Sequence, residues 1–364
     1  MREPARPIGI AILGAGYLGS QRAAAVGATG CARLIGVVDT DLPRAKTVAR
    51  RFGAAATADF RAALDHPQVD AVVVATPHAD HFVQSMAALE AGKHVLCEKP
   101  LTTHPEEARQ LALRADQLRL KLATGLNHRF YPPVRDALEL ASSWQVGRIE
   151  SVRAEIGHKA TSEFLGGWHT ALDRSGGGTL MDNGPHACDL IRRFLGEIIA
   201  AKGYRREPVG LPRGCEDEAY ALFRDFNQGF AELRSSWNQP TGYLSIDVRG
   251  TEGWLRVETA PWCLSGVLAD GKRLLRTYVA ERVAERLFRL RHGCERSLVR
   301  ELADFIGAIR QEPREGATGW DGCRATEMIT AVYQSDATGQ EVRIEPSLER
   351  AFPATQRRPV GRPS

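Results

Sequence analysis

Residues 8–13, IGIAIL, form an apolar run that passes directly into Gly14-Ala15-Gly16-Tyr17-Leu18-Gly19. A run of this kind suits a strand buried on both faces, as in a parallel sheet covered by helices on either side. Residues 20–28 then read as a helix, and a second apolar run, 34–38, ends in Asp39. A bare GxGxxG arises by chance in a chain with 35 glycines. Between a strand and a helix it carries a mechanism. Gly14 allows the tight turn, Gly16 lets backbone approach a pyrophosphate, and Gly19 lets helix and strand pack closely. The helix N-terminus attracts the phosphates. Asp39, 20 residues beyond Gly19, sits where an acid accepts hydrogen bonds from the adenosine ribose. That carboxylate would repel a 2′-phosphate, so NAD is favoured, and Arg44 keeps NADP as the lesser option.

The alternation continues. Helices are expected over 44–52 and 60–64, a strand over 71–76, a helix over 79–91 and a strand over 94–97. Thr103, Pro105 and Glu106 have the spacing of a capping box opening a helix over 103–118, before a strand at 120–125. Strands and helices alternating through short connections predict a parallel, doubly wound sheet, a Rossmann dinucleotide-binding domain over 1–127. After residue 127 the rhythm changes. A helix over 134–142 is followed by strand-like runs at 148–156, 219–226, 229–237, 243–249 and 253–258, then helical patterns at 282–291 and 297–309. Successive strands without helices between them predict an α+β domain over 128–354, built on an open, mainly antiparallel β-sheet. Residues 355–364 read as a disordered tail.

Composition narrows the function. With 48 basic and 44 acidic residues the charge is too balanced to suggest a nucleic-acid partner. No apolar run approaches the roughly 20 residues that cross a bilayer, and the first apolar stretch leads into the glycine motif rather than a signal-peptide layout. Seven cysteines without a CxxC pair fit a reducing cytoplasm.

Two stretches carry candidate chemistry. In AGKHVLCEKPLT, residues 91–102, a short strand breaks into Glu98-Lys99-Pro100, which puts Lys99 at the carboxyl edge of the sheet, where ligands bind in open α/β folds. There Lys99 can act as a fixed charge or a proton donor. In SGGGTLMDNGPHACDL, residues 175–190, Asp182, His186 and Asp189 are spaced i, i+4, i+7. On one helix face, a histidine between two acids has its basicity raised, as a general base needs. Pro185 disfavours helix at Gly184 and threatens to split that face. No cysteine or second histidine stands at zinc-ligand spacing around His186, so no metal is expected. His78 and His81 are explained by cofactor contacts or a helix start.

GAGYLG, TPHADHFVQSMAALEAGKHVLCEKPLT and GGGTLMDNGPHACDL, in that order, resemble the glucose-fructose oxidoreductase / inositol dehydrogenase / rhizopine-catabolism (Gfo/Idh/MocA) family of NAD(P)-dependent oxidoreductases. The resemblance extends to Asp321-Gly322 and TEMITAVYQSDATGQEV near the end. It implies that Lys99, Asp182 and His186 hold the catalytic positions, with His186 accepting the hydroxyl proton. Cofactor contacts are implied at Gly14, Gly16, Tyr17, Leu18, Gly19, Asp39, Thr76, Pro77, His81, Glu98 and Lys99. It also implies a homodimer or homotetramer formed through the second domain's sheet. Two positions depart from the family pattern. His78 stands where asparagine is common, and His169 follows Trp168 where arginine is common.

The implied activity is hydride transfer between NAD and a secondary alcohol or ketone of a cyclic polyol, sugar or amino-sugar. Asn127, His158, Trp168, His169, Asp182 and Asn183 are neutral or acidic hydrogen-bonding groups suited to hydroxyls, with Trp168 able to stack on a ring. Arg129 is the residue that would instead clamp an acid or phosphate. Two other activities fit the same residues: a redox-assisted epimerase, lyase or glycosidase with transiently reduced bound NAD, and a non-catalytic dinucleotide-sensing regulator.

Overall fold

The computed structural model describes residues 6–345, so the expected tail at 355–364 lies outside the described residues. The first sheet contains β1 (Ile8–Leu13), β2 (Ala32–Val38), β3 (Ala55–Thr57), β4 (Ala71–Val74), β5 (His94–Glu98) and β6 (Leu122–Gly125). Its order is β3-β2-β1-β4-β5-β6, with every pairing parallel. The helices are α1 (Tyr17–Thr29), α2 (Leu42–Arg50), α3 (Phe60–Leu64), α4 (His81–Glu90) and α5 (Pro105–Gln117). Side-chain alternation along β1 shows why the strand is apolar throughout. Ile10 and Ile12 join the core beneath α1, and Ala11 and Leu13 join the core on the other face. The order reverses between β1 and β4, the switch point at which such sheets bind ligands beyond their strand carboxyl ends. Gly14, Asp39 and Lys99 immediately follow strand ends there, and Thr76 and Asn127 lie two residues beyond theirs.

The second sheet has nine strands: β7 (Ile149–Lys159), β8 (Ile198–Arg206), β9 (Glu218–Asp225), β10 (Phe230–Ser236), β11 (Asn238–Gly250), β12 (Trp254–Thr259), β13 (Trp262–Val267), β14 (Arg273–Thr277) and β15 (Val342–Arg343). Its order is β14-β13-β12-β11-β7-β10-β9-β8-β15, and all pairings are antiparallel except β7 with β10. The remaining helices are α6 (Pro132–Ser142), α7 (Ser162–Leu165), α8 (Leu172–Ser175), α9 (Thr179–Asp182), α10 (Gly184–Leu195), α11 (Val279–His292), α12 (Arg296–Ile309) and α13 (Gly319–Thr338). Helices α6, α10 and α13 cover one face of this sheet. The other face exposes Tyr204, Tyr220, Leu222 and Phe230. No described helix is long and apolar enough to cross a membrane.

Several local expectations change. α5 is capped by His104 without a side-chain bond, so the Thr103–Glu106 capping box does not form. A capping box does open α13, where Thr318 and Asp321 exchange bonds, although that helix was not expected from sequence. The division at residue 127 does not describe the packing of residues 294–306. Leu298, Leu302 and Phe305 of α12 fill the core beneath α1 in the first domain. α13 straddles both domains, with Cys323 in one core and Met328, Ile329 and Val332 in the other.

The return of α12 also closes a buried ion-pair group. Arg22 of α1, fully buried, reaches Glu98 at the end of β5 (2.5 Å) and Glu301 of α12 (2.6 Å). Burial pushes the Glu301 carboxyl up to about 7, outweighing the pull of Arg22. Breaking a buried group of this kind by removing one partner leaves uncompensated charge and costs about 3–5 kcal/mol. Arg22→Met is therefore expected to lower the urea midpoint by a large fraction of total stability. A midpoint within experimental error of the parent protein would show that the pair is energetically idle.

Candidate active site

The dinucleotide cradle is built by three short-range constraints. Gly14 has φ +96, and a Cβ there would lie 2.4 Å from the Ala75 carbonyl oxygen. A Cβ at Gly19 would fall 1.9 Å from the Gly14 carbonyl oxygen. By contrast, a Cβ at Gly16 would project into open space, the volume a diphosphate would fill. Gly16 also caps α1 without any side-chain hydrogen bond, so the helix's first N–H groups are left for an anion. Asp39 is fixed across this loop. Its Oδ2 accepts from Ala15 N at 2.8 Å and its Oδ1 from Asp41 N at 2.8 Å. Arg44 lies 3.6 Å from Asp39, close enough to offset part of its charge. These residues fit a dinucleotide with an unsubstituted ribose. Tyr17 is 83% exposed beside the cradle, and Leu18 packs toward the α1 core.

Two cofactor candidates from sequence turn out to be braces. His81 is fully buried, with its ring nitrogens 2.7 Å from the Pro100 carbonyl oxygen and 3.0 Å from that of Thr76. It ties the turn after β4 to the turn after β5 and is closed to a ligand. The Glu98 side chain is committed to Arg22. Thr76 Oγ1 donates to Gln84 at 2.8 Å, with Pro77 next along the same turn.

The candidate cluster centres on Asp182. Lys99 Nζ donates to its Oδ1 at 2.8 Å and to its backbone carbonyl at 2.7 Å. On the other carboxylate oxygen, His158 Nε2 stands at 3.2 Å and Trp237 Nε1 donates at 3.1 Å. Burial alone would raise this carboxyl, but the Lys99 charge and the bonds from His158 and Lys99 hold it well below the ordinary range. Burial likewise pulls His158 down, and its bond to Asp182 outweighs that and leaves it raised. Behind Asp182, the fully buried Glu216 accepts from Gly178 N (3.0 Å) and Leu180 N (2.8 Å), and from Tyr333 Oη (3.0 Å). The glycine run is thereby pinned, and with it the short helix that presents Asp182.

The expected single helix face does not exist. α9 ends at Asp182 and α10 starts at Gly184, with Asn183 between them, as Pro185 warned. Asp189 turns away from His186 to the Arg129 guanidinium, which donates to it from Nε at 2.7 Å and also meets Asp321 at 3.3 Å. Two expectations are corrected. Arg129, 5% exposed and committed to two acids, is withdrawn from the substrate candidates. His186 is not made more basic by flanking acids. Its ring stacks on His128 with centroids 3.8 Å apart, and burial, the His128 ring and Lys99 hold it well below the usual imidazole range, hence neutral.

The other substrate candidates surround this cluster unevenly. His169 stacks between Phe164 (3.9 Å) and Trp168 (4.1 Å), and Phe164 meets His158 and Trp237 edge-on. His78 hydrogen-bonds the Ser175 carbonyl oxygen at 2.8 Å and sets its ring edge on Trp168, so this departure buttresses the aromatic wall. Asn127 donates to Ser297 and Asn183 to Thr179, each side chain spending a donor on the protein. Sequence reasoning missed His128, Phe164, Glu216 and Trp237. Only Trp237, at the end of an expected strand, carried any local signal.

A parallel sheet with a glycine cradle, a carboxylate across it and a Lys–Asp–His cluster at its switch point defines a nicotinamide-dinucleotide oxidoreductase. The chain belongs to the Gfo/Idh/MocA family. Residues 8–126 match its oxidoreductase, NAD-binding Rossmann model, and residues 134–256 match its C-terminal domain. The chain is 30% identical to 1,5-anhydro-D-fructose reductase of Ensifer adhaerens, over 78% of this chain and 82% of that protein. It is 25% identical to D-glucoside 3-dehydrogenase of Escherichia coli (strain K12), over 93% of this chain and 98% of that protein. Among solved structures, levoglucosan dehydrogenase in complex with NADH and levoglucosan superposes with a TM-score of 0.84 at 22% identity, covering 93% of this chain and all of the other.

Burial keeps four histidines of this region, His78, His81, His128 and His186, less basic than free imidazole, His128 down to about 3. In the unfolded chain they bind protons below about pH 6.5. Their folded values lie lower, so the unfolded state takes up more protons in that window. Stability accordingly falls as pH drops below about 6.5, by up to about 1.4 kcal/mol per pH unit for each histidine. His158, raised, acts in the opposite sense. Urea midpoints measured from pH 7 to 5 should fall, and His128→Phe, which keeps a ring on His186, should flatten that slope. An identical slope in the variant would mean that His128 binds protons equally in the folded and unfolded states.

Proposed function

We propose that this protein oxidises a secondary alcohol of a cyclic polyol, sugar or amino-sugar, or reduces the matching ketone, with Lys99 and His186 handling the hydroxyl. The observation that carries this reading is the clamped Lys99 at the carboxyl edge of β5. Its ammonium is fixed by two bonds to Asp182 while a neutral histidine stands on the adjoining helix. A bound NAD supplies the hydride acceptor. The substrate loses a hydride from carbon and a proton from oxygen, and a neutral His186 can take that proton. Lys99 stabilises charge developing on the same oxygen, and Asp182 holds Lys99 in place. Asp39, bonded across the glycine loop, supports NAD over NADP.

The substrate class follows from what is left for it. Arg129 is locked between acids, so the cation supplied by the cluster is Lys99, itself paired. The wall of Phe164, Trp168 and His169 supplies ring faces, with His158 and Asp182 as hydroxyl partners. An uncharged or cationic polyhydroxylated ring matches these groups better than a sugar acid or phosphate. The named relatives that act on a D-glucoside, an anhydro-sugar and levoglucosan support the same class.

Reduction of NAD across a panel of inositols, aldoses, glycosides and amino-cyclitols is expected to reveal turnover. Preferred turnover of a sugar phosphate or acid would refute the class. Positioned proton transfer is worth about 100- to 10,000-fold in rate, so Lys99→Ala and His186→Ala should each lose on that order while still binding NAD. An undiminished rate in either would overturn the mechanism.

We further propose that the exposed face of the second sheet joins copies of this chain. Tyr204, Tyr220, Leu222 and Phe230 stand on one face of adjacent strands, each more than half exposed. Light scattering is expected to give a dimer or larger for the parent protein and a smaller species for Leu222→Glu. A monomeric parent protein would sink this assignment.

A further inference from the structure

A cavity of about 380 Å³ lies away from the Asp182 cluster, between the middle and C-terminal end of α6, the 144–149 turn leading into β7, and the C-terminal end of α10. That volume falls in the range of small-ligand sites, about 300–1,000 Å³. Its charges are sorted by depth. Near the floor are the cations Arg129 and Arg193, beside the buried Phe194 and Ile149. The acids sit elsewhere. Glu139 and Glu315 are exposed at the rim, and Asp136 is already bonded to Arg276 (2.8 Å) and Tyr278 (2.6 Å). Arg129 is neutralised by Asp189 and Asp321. Arg193 feels the charges of Asp189 and Asp321 but makes no ion pair with either, and burial and Arg129 outweigh them. No ion pair is found for it among the described residues, and its Nε is buried without a hydrogen-bond partner.

A half-buried guanidinium with an unmet donor is costly, and its fork geometry fits an oxyanion held through two parallel bonds. Arg148 and Arg135 stand at the rim, paired with Glu150 (3.0 Å) and Glu315 (3.8 Å), and Trp144 and Leu138 offer an apolar wall. Trp144 is held at φ +59, a conformation that bulky side chains rarely adopt, and it lines this cavity. We propose that this cavity binds a small phosphate- or carboxylate-bearing molecule through Arg193, with Trp144 against its non-ionic part. The site is distinct from the Lys99–Asp182 cluster, yet it touches its supports. Arg129 lines the cavity and grips α10, the helix that carries His186. Occupancy is therefore placed to alter the rigidity of that helix.

The test is thermal stability and titration calorimetry with inorganic phosphate and with citrate. Both are done at fixed ionic strength against sodium chloride, on protein saturated with NAD so that the diphosphate cradle is filled. At least one oxyanion should raise the melting temperature in a saturable manner, and which one does so separates phosphate from carboxylate chemistry. Arg193→Gln should weaken its binding by about 10- to 150-fold, the range expected for hydrogen bonds to a charged group. Lys99→Ala should leave it unchanged. Arg193→Lys, which keeps the charge but not the fork, should also bind more weakly, and it serves if the glutamine variant does not fold. No saturable binding of either anion, or equal binding by the parent protein and both Arg193 variants, overturns the proposal.

Discussion

The Lys99 ammonium at the end of β5 and the Asp182 carboxylate at the end of α9 meet across the join between two separately built sheets. The carboxylate would not be stable alone at that depth, because burial without a partner favours its protonated form. Together, with Trp237 and His158 on the second carboxylate oxygen, they form a group whose hydrogen bonds are largely met. Its geometry depends on Glu216, buried below the glycine run and bonded to two of its backbone amides. The site is thus positioned from behind by an acid that never faces the cleft.

Three arginines repeat this logic around the site. Arg22 joins α1 to β5 and α12, Arg129 joins the turn after β6 to α10 and α13, and Arg192 joins α10 to Asp321 and Glu197. Each bridges elements far apart in sequence. Buried ion pairs contribute little net stability compared with apolar packing. Their effect here is to fix how the first sheet and helices α10, α12 and α13 are set against each other, since a displaced helix would strand a buried charge.

The departures from the common family pattern acquire physical reasons in this setting. His78 spends its ring nitrogen on the Ser175 carbonyl and its ring edge on Trp168, so it shapes the aromatic wall from outside. His169 lies flat between Phe164 and Trp168, where it extends a stack. The wall is consequently continuous and carries no fixed positive charge.

The sequence alone determined the first domain, because its signals are local. An apolar strand with helices on both sides must be continuous in hydrophobicity, a glycine at φ +96 has few substitutes, and an acid at the end of β2 needs no distant partner to be recognised. It also marked Lys99, Asp182 and His186 as candidates for chemistry. Only the tertiary structure decided their company. The spacing of Asp182, His186 and Asp189 suggested one helix face, and the break at Asn183 sent Asp189 to Arg129 and left His186 stacked on His128. Helix α12 lies some 170 residues past the first domain in sequence yet fills its core. Strands such as β8, with two alanines and a glycine among its nine residues, are held by register with their neighbours rather than by propensity. Pairings between residues hundreds of positions apart are set by which surfaces remain to be buried once the local elements have formed, and no local pattern encodes that.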